Sequence, residues 1–336
     1  MTKVAVVTGS SGQDGSYLCE LLLKKNYKVL AYDRRSSREI FWRHNYLKIT
    51  KKLNYRYFDL SDENSINKIF LENKVDEFYN LAAQSFVKSS FDTPVSTSDV
   101  TALGPLRILE AIKLYQPKVK FYQASSSEMF GDTKNLTQNE NTKFYPRSPY
   151  AISKTFAHYA VINYRESYNL YACSGILFNH ESPLRGEEFV TRKITKQLSE
   201  IYLGKRDFME LGNIYSKRDW GYAKDYVEAI WKMLNIKKPL DFVISTNKTT
   251  TIKKFIEICC QILNLPLGWR GKGLKEVGFN KKTGKVIIKI NKNFYRPSEV
   301  NYLRGNFAKA KKLLNWKPKT DIYKLAALML EYDLKN

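Results

Sequence analysis

A glycine-rich turn near the start of the chain constrains the fold more than any other feature. It joins a run of β-branched and small residues, Val4–Thr8, to a stretch with helical periodicity over residues 15–25. Within the turn, Gly9, Gly12 and Gly15 recur at intervals of three residues. Glycines let the backbone turn tightly and approach a pyrophosphate, whose negative charge then meets the amino-terminal end of the helix. The turn therefore predicts that the chain begins with a dinucleotide-binding βαβ unit.

Strand-like and helical segments alternate through the first half of the chain. Further strands are predicted at residues 28–33, 55–59, 77–81, 120–124, 171–178 and 241–245. Further helices are predicted at residues 65–73, 97–114, 150–168, 306–314 and 322–334. Such alternation is typical of parallel βαβ units with helices on both faces of one sheet. The sequence therefore predicts an α/β fold with a Rossmann-type doubly wound parallel sheet.

The alternation loosens after Asn179, where glycine and charged residues become more frequent. The pair Thr283-Gly284 lies between two strand-like runs and predicts a hairpin. We expect a nucleotide-binding domain over residues 1–179, to which segments near 211–246 return. Residues 180–336 are expected to form a smaller mixed α/β domain that binds the substrate.

Composition narrows the classes of function. The chain has 336 residues, of which 43% are hydrophobic and 26% charged, as in an ordinary globular protein. Its formal net charge of +23 favours partners that carry phosphate. The basic residues are scattered, and no zinc finger, helix-turn-helix or arginine-rich arm accompanies them. We therefore expect no nucleic-acid partner.

The sequence carries no signal for a membrane or a metal. No apolar run approaches the ~20 residues that cross a bilayer, and a strand-like segment stands where a signal peptide would begin. A cytoplasmic protein is expected. Cys19, Cys173, Cys259 and Cys260 lack metal-binding spacing, so we expect buried, reduced thiols and no metal site.

One tyrosine, Tyr150, indicates proton chemistry. Among 23 tyrosines it alone has a lysine four residues later, Lys154, on the same face of the predicted helix. A tyrosinate can accept a hydroxyl proton when its pKa is lowered, and a nearby lysine and a positive nicotinamide would lower it. Ser126, at the end of the fifth predicted strand, can hydrogen-bond the same substrate oxygen. These residues predict a dehydrogenase or reductase.

Glu128 adds a group that the oxidation of an alcohol does not require. Once hydride has left C4 of a sugar, the C5 proton becomes acidic. A carboxylate can then remove that proton and assist departure of the C6 hydroxyl as water. Hydride returns to C6, so the net reaction is a redox-neutral dehydration. Together, Ser126, Glu128, Tyr150 and Lys154 predict a sugar 4,6-dehydratase.

The residues that end the second and third predicted strands bear on the cofactor. Asp33 would hydrogen-bond the adenosine ribose of NAD, whereas Arg34, Arg35 and Ser36 suit the 2′-phosphate of NADP. The arginines and hydroxyl groups outnumber the single carboxylate, so we expect NADP. Asp59 ends the third strand, where it faces the adenine or caps the strand.

Many stretches of the chain, over nearly its whole length, resemble the GDP-mannose 4,6-dehydratase family of extended short-chain dehydrogenases/reductases. The matching stretches are residues 8–17, 34–37, 80–85, 122–125, 127–128, 144–150, 163–168, 175–183, 189–194, 217–221, 223–227 and 295–300. The resemblance implies NADP and a catalytic set that matches Ser126, Glu128, Tyr150 and Lys154. Ser126 stands where the family usually has threonine, which keeps the hydroxyl group.

The resemblance also implies binding roles. The residues expected to bind the cofactor are Gly9, Gly12, Gln13, Asp14, Gly15, Arg34, Arg35, Ser36, Asp59, Leu60, Leu81, Ala82, Ala83, Tyr150 and Lys154. Those expected to bind a GDP-sugar are Ser85, Asn179, Lys193, Arg218, Arg296 and Glu299. A lysine and two arginines in the second set suit a diphosphate, because charge-assisted hydrogen bonds to phosphate are strong. A homodimer through the helices near Tyr150 and Thr97, or a homotetramer, is also implied.

Two departures from the family pattern leave the sugar open. Phe86 stands where the family typically has histidine, and Leu184 where it usually has arginine. GDP-mannose and GDP-manno-heptose, which has one more carbon at C6, are therefore both expected substrates. A nucleotide-sugar epimerase or reductase of the same fold is the alternative function. A protein that senses the cofactor or binds nucleic acid without catalysis is the alternative from another class.

Overall fold

The fold is built from strands and helices that alternate along the chain. The computed structural model describes residues 2–295 and 300–336. Its strands are β1 (Val4–Thr8), β2 (Lys28–Asp33), β3 (Asn54–Tyr57), β4 (Glu77–Asn80), β5 (Lys120–Ser126), β6 (Ala172–Leu177), β7 (His180–Glu181), β8 (Met209–Leu211), β9 (Lys217–Arg218), β10 (Gly221–Tyr222), β11 (Phe242–Ile244), β12 (Thr250–Thr251), β13 (Leu267–Arg270), β14 (Val277–Asn280) and β15 (Val286–Ile290). Its α-helices are α1 (Gln13–Lys24), α2 (Trp42–Tyr46), α3 (Glu63–Glu72), α4 (Val87–Asp92), α5 (Pro94–Ser98), α6 (Gly104–Tyr115), α7 (Pro149–Tyr168), α8 (Val190–Tyr202), α9 (Ala223–Met233), α10 (Ile252–Ile262), α11 (Ala308–Leu314) and α12 (Ile322–Lys335).

Within the described residues, seven strands form a parallel sheet in the order β11, β6, β5, β4, β1, β2, β3. The chain winds outwards from β1 to β3 at one edge, and from β4 to β11 at the other. The winding reverses between β1 and β4, and in such sheets a crevice opens there at the carboxyl ends of the strands. The predicted doubly wound sheet is confirmed, and the glycine-rich turn after β1 lies at this crevice.

Apolar side chains cover both faces of the large sheet. Val7 and Tyr122 pack in a core with α1 and α9 on one face. Val6 and Phe121, their neighbours along the strands, pack with α3, α6 and α7 on the other. Successive strand residues point to opposite faces, so a strand buried on both faces is apolar along most of its length. The sheet therefore gives the turn after β1 and the end of β5 a rigid base.

A smaller sheet belongs to the carboxyl-terminal half of the chain. Its order is β13, β14, β15, β8, with β15 parallel to β8 and the other pairs antiparallel. β14 and β15 form the predicted hairpin, and Gly284 in its turn has a φ of 72°. α8, α10 and α12 pack against this sheet around Phe255, Ile288 and Leu330. The predicted mixed part is confirmed, while the domain bounds stay a prediction.

The helix predicted at residues 97–114 is present and contains a π-helical turn. α5 ends at Ser98, a single π-helical stretch spans Asp99–Leu103, and α6 begins at Gly104. Pro105 is the cause, because proline has no N–H to donate and its ring displaces the carbonyl four residues earlier. Gly104, the first residue of α6, packs closely against Leu60, and an added Cβ would lie 2.9 Å from the Leu60 Cβ.

Across the described ranges, no helix has both the length and the apolar character needed to cross a membrane. The four cysteines are free and buried, as predicted.

Candidate active site

Two elements bring the predicted catalytic residues together. Ser126 is the last residue of β5, and its hydroxyl accepts a hydrogen bond from the backbone N–H of Glu128, 3.2 Å away. α7 begins at Pro149 behind the N-cap Ser148, whose hydroxyl accepts from the Ala151 N–H. Tyr150 follows in the first turn of this helix. Since α7 packs on β5, the hydroxyl, the carboxylate and the tyrosine face one space.

Lys154 is anchored to the same strand. Its ammonium donates to the Ala124 carbonyl, with 2.7 Å between Nζ and O, and lies 5.8 Å from the centre of the Tyr150 ring. Burial lowers the pKa of Lys154 to about 8, although the nearby Asp14 carboxylate acts to raise it. The lysine is therefore held close to the tyrosine with most of its hydration removed.

Burial also controls the tyrosine. It raises the pKa of Tyr150 to about 12. A hydrogen bond with the Ser126 side chain and the charge of Arg185 lower this pKa, while the Glu128 charge raises it. From the sequence we expected Lys154 to lower the pKa of Tyr150. In the structure the loss of water around the phenol outweighs the neighbouring groups.

These residues line a cavity of about 640 Å³ between the large sheet and the carboxyl-terminal half. The predicted residues in its wall are Ser126, Glu128, Tyr150, Lys154, Asp14, Leu81, Ala83, Ser85, Asn179, Lys193 and Arg218. The remaining predicted residues of the described chain lie outside this wall, around the carboxyl ends of β1 to β4. Arg296 and Glu299 lie outside the described residues. The cavity thus joins the catalytic set with most of the predicted sugar-nucleotide contacts.

The glycine-rich turn is closely packed, which fits a pyrophosphate. Gly9 has a φ of 65°, and an added Cβ there would lie 2.9 Å from the Ala82 nitrogen. An added Cβ at Gly15 would lie 2.2 Å from the Gly9 carbonyl oxygen. Gly12 is the N-cap of α1 and brings no side chain over the first turn of the helix. Backbone N–H groups can therefore approach a phosphate at this end of α1.

Asp33 at the end of β2 is bound to the turn. Its carboxylate accepts hydrogen bonds from the Ser10 hydroxyl and from the Ser11 hydroxyl, the latter at 2.8 Å. Asp33 is buried, whereas Arg34 and Arg35 are exposed beyond it. Burial raises the pKa of the Asp33 carboxyl, although these serine hydrogen bonds act to lower it. The carboxylate therefore holds the turn in place, and the arginines face outwards.

The neighbouring loops place the other expected cofactor residues. Ser36 is exposed next to the arginines. Asp59 accepts from the backbone N–H and the hydroxyl of Ser61, at 2.9 and 2.7 Å, so it caps the loop after β3. Leu60 is buried, and the N–H of Ala82 donates to the Thr8 hydroxyl at 3.4 Å.

An interaction between Asp14 and His180 was missed in the sequence. The two side chains meet with 2.7 Å between Oδ2 and Nε2, and His180 also stacks on the Tyr226 ring. Burial alone would lower the pKa of His180, but the Asp14 carboxylate raises it above the usual value. Gln13 adds two hydrogen bonds, to the His180 carbonyl and from the Ser182 hydroxyl. These contacts fasten the start of α1 to β7 beside the cavity.

Arg185 also lines the catalytic cavity and was not predicted as a site residue from the sequence. Its guanidinium carbon lies 3.5 Å from the centre of the Phe189 ring, and its Nε is 3.2 Å from a carboxylate oxygen of Glu181. Phe189 in turn meets Phe86 edge to face, with 5.9 Å between the ring centres. The sequence signal for Arg185 as a site residue is weak, because Arg185 lies in a loop that has neither helical nor strand periodicity.

Comparison of the sequence with known proteins identifies a family. The family model described as GDP-mannose 4,6 dehydratase matches residues 6–329. The GDP-mannose 4,6 dehydratase of Drosophila melanogaster is 48% identical over 341 residues, which cover 99% of this chain and 86% of that protein.

Solved structures show the same fold at lower sequence identity. RMD from Pseudomonas aeruginosa complexed with NADPH gives a TM-score of 0.78 at 21% identity, with both chains wholly covered. The dTDP-glucose 4,6-dehydratase of Bacillus anthracis in complex with NAD gives 0.82 at 21% identity, over 100% of this chain and 97% of that one. With the family match spanning nearly the whole sequence, the chain belongs to the GDP-mannose 4,6-dehydratase family of hydro-lyases.

Proposed function

We propose that the protein is an NADP-dependent GDP-sugar 4,6-dehydratase, which converts GDP-mannose to its 4-keto-6-deoxy derivative and water. The observation that carries this proposal is that Glu128 lines the same cavity as Ser126, Tyr150 and Lys154. Oxidation at C4 needs only the hydroxyl, tyrosine and lysine. A carboxylate beside them supplies the base that dehydration needs.

The residues of the chain divide the proton chemistry between them. Tyr150 acts as a tyrosinate, because the ammonium of Lys154 and the positive charge of a bound cofactor oppose the effect of burial on its pKa. It accepts the proton of the C4 hydroxyl, while Ser126 hydrogen-bonds the same oxygen. Glu128 removes the C5 proton, and the C6 hydroxyl leaves with a proton as water. This loss of water forms a C5–C6 double bond. When bound, the cofactor supplies the hydride acceptor for C4 and the hydride donor for C6. Tyr150 then returns the proton that it took from the C4 hydroxyl, and this proton adds to C5, which completes the balance.

NADP is the proposed cofactor. Asp33 is buried and bonded to Ser10 and Ser11, while Arg34 and Arg35 are exposed next to it. Two exposed arginines suit a 2′-phosphate, and a carboxylate already bonded to two hydroxyls is a poor partner for a ribose. The Gly9 to Gly15 turn would hold the pyrophosphate. This part of the molecule is proposed as one domain over residues 1–179 and segments near 211–246.

GDP is the proposed nucleotide of the substrate. Lys193 and Arg218 line the cavity and suit its diphosphate, since charge-assisted hydrogen bonds to phosphate are strong. The side-chain oxygen of Asn179 is buried there with no hydrogen-bond partner in the described chain, so it can accept from the ligand. We place these contacts in a substrate domain over residues 180–336.

The sugar is proposed to be GDP-mannose, with GDP-manno-heptose as the alternative. Phe86 and Phe189 form an apolar wall of the cavity. Such a wall suits the methyl group that dehydration creates at C6, and it leaves the extra carbon of a heptose without a polar partner. Side-by-side turnover of the two substrates decides between them.

We also propose a homodimer or homotetramer. Ile152, Phe156 and Tyr159 lie on one face of α7 and are 45–57% exposed. With Leu106 of α6 they line an apolar groove of about 500 Å³. An exposed apolar patch on adjacent helices supports an interface between copies of the chain.

The function is tested by following both product and cofactor. GDP-mannose with catalytic NADP should give a 4-keto-6-deoxy product with no net change in NADPH. Glu128→Gln should reduce turnover by about a hundredfold or more, because a positioned acid–base group contributes at least that factor. Glu166→Gln, an exposed change on α7, serves as the control. Stoichiometric use of NADPH would instead identify a reductase, and a product that keeps its C6 hydroxyl would identify an epimerase.

A further inference from the structure

The catalytic cavity continues past Lys193 into a second cavity of about 410 Å³. The two cavities share Lys193, Gln197 and Phe294 in their walls. Ser126 and Tyr150 line only the first cavity, so the second extends the cleft away from the catalytic residues. With the sugar at Tyr150 and the diphosphate at Lys193, the nucleobase of a nucleotide sugar reaches the second cavity.

Gln197 brings an unused hydrogen-bonding group to the junction of the two cavities. It follows Lys193 by four residues on α8, so both side chains lie on one helix face, about 6 Å apart along the axis. Its amide oxygen is buried and, within the described ranges, has no hydrogen-bond partner. An unpaired buried acceptor is unfavourable, so a ligand that donates an N–H to it gains affinity.

Glu210 approaches the second cavity from the small sheet. It is the middle residue of β8, between Met209 and Leu211, which are both buried in the core of that sheet. Alternate strand residues point to opposite faces, so Glu210 faces the cavity that it lines. Burial lowers the pKa of Lys193, and the Glu210 charge acts against that lowering. The carboxylate therefore lies near the proposed diphosphate contact.

The other charged residues of the second cavity already have partners. The Nε of Arg206 lies 2.5 Å from a Glu200 oxygen, and the carboxylate of Asp207 lies 2.6 Å from the Lys285 ammonium. Glu210 has neither a salt bridge nor a side-chain hydrogen bond to any described part of the chain. Its acceptors are thus available to a ligand in the cavity.

We propose that Gln197 and Glu210 recognise the guanine base of the nucleotide sugar, an inference that rests on the proposed function. Guanine carries an N1–H beside a 2-amino group, and a carboxylate can accept one hydrogen bond from each. The second N–H of the amino group donates to the Gln197 oxygen. Uracil and thymine flank their N–H with carbonyl oxygens, and adenine has no proton on N1. None of these bases offers the same row of donors.

Binding of GDP, IDP and UDP to the NADP-loaded protein tests this assignment by isothermal titration calorimetry. IDP lacks only the 2-amino group of guanine, and the unsubstituted protein should bind in the order GDP, IDP, UDP. Gln197→Ala should weaken GDP about tenfold and leave IDP within about twofold. Glu210→Gln places an amide N–H against the 2-amino group. It should weaken GDP about ten- to hundredfold and leave UDP unchanged.

Two variants at exposed positions serve as matched controls for the binding experiment. Gln261→Ala and Glu331→Gln make the same changes at exposed positions of α10 and α12, and should preserve all three affinities. Thermal melting and NADP affinity report whether Gln197→Ala and Glu210→Gln keep the fold. If the ratio of the GDP affinity to the IDP affinity and the ratio of the GDP affinity to the UDP affinity stay unchanged in both folded variants, the inference is overturned.

GDP-mannose turnover is measured separately. If GDP-mannose is turned over but the affinity ratios do not change, only this inference fails. If the affinity ratios change but GDP-mannose is not turned over, only the proposed function fails.

Discussion

Lys154 is a buried lysine whose ammonium donates to the Ala124 carbonyl. Burial lowers its pKa to about 8 in the folded protein, below the 10.5 of an exposed lysine. Between these values the unfolded chain binds more protons than the folded one, so stability rises with pH. Compared with Lys154→Met, the unsubstituted protein should gain up to about 3 kcal/mol from pH 8 to 10.5. Urea unfolding across this range measures the difference, and a difference that does not vary with pH would contradict the prediction.

The proposed function assigns Arg34 and Arg35 to the 2′-phosphate of NADP. Replacing both with alanine should weaken NADP binding by about tenfold or more, because the contacts to a 2′-phosphate are charge-assisted. NAD binding should stay within about twofold. Titration of each cofactor by fluorescence measures both effects, with Arg270→Ala on β13 as an exposed control. Equal losses for NADP and NAD would show that the arginines do not contact the 2′-phosphate.

At the scale of elements, the junction of β1 and α1 depends on the absence of a side chain at Gly15. An added Cβ would lie 2.2 Å from the Gly9 carbonyl oxygen and 2.7 Å from the Ser10 Cα, both backbone atoms of the turn. Gly15→Ala should therefore displace the turn, lower the free energy of unfolding by about 1–3 kcal/mol and weaken NADP binding. Gly204 has open space around it, so an added Cβ meets no other atom there. Gly204→Ala should lower the free energy of unfolding by about 1 kcal/mol, because the backbone of Gly204 is left-handed, and should leave NADP binding unchanged. Unchanged NADP affinity in Gly15→Ala would refute this account.

The same junction shows how far a sequence predicts elements. β1, the turn and α1 follow from local periodicity and glycine spacing, and the structure has them within two residues of the prediction. The π-helical turn before Pro105 depends on how one proline meets a carbonyl four residues earlier. The contact between Asp14 and His180 joins residues far apart in sequence, and the high pKa of Tyr150 comes from burial by several elements at once. Effects of this kind depend on tertiary packing and leave no local pattern.

At the scale of the whole molecule, the apolar face of α7 predicts association. Phe156→Glu introduces a charge in the middle of the groove formed by α6 and α7. Burying that charge is costly, so the variant should have about half the mass of the unsubstituted protein in solution. Light scattering after size-exclusion chromatography measures this mass, and Tyr202→Glu, an exposed change on α8, is the control. Equal masses for all three proteins would exclude this face as the interface.

The position of Asp33 limits how the cofactor preference of such a chain can change. Because the carboxylate ties the end of β2 to Ser10 and Ser11, a substitution there loosens the phosphate turn before it alters any contact with a ribose. Natural variation, and any engineering of the cofactor preference, would have to change the exposed residues that follow, where replacement leaves the turn intact. Asp33 thus confines the evolution of cofactor choice in this protein to a short surface segment.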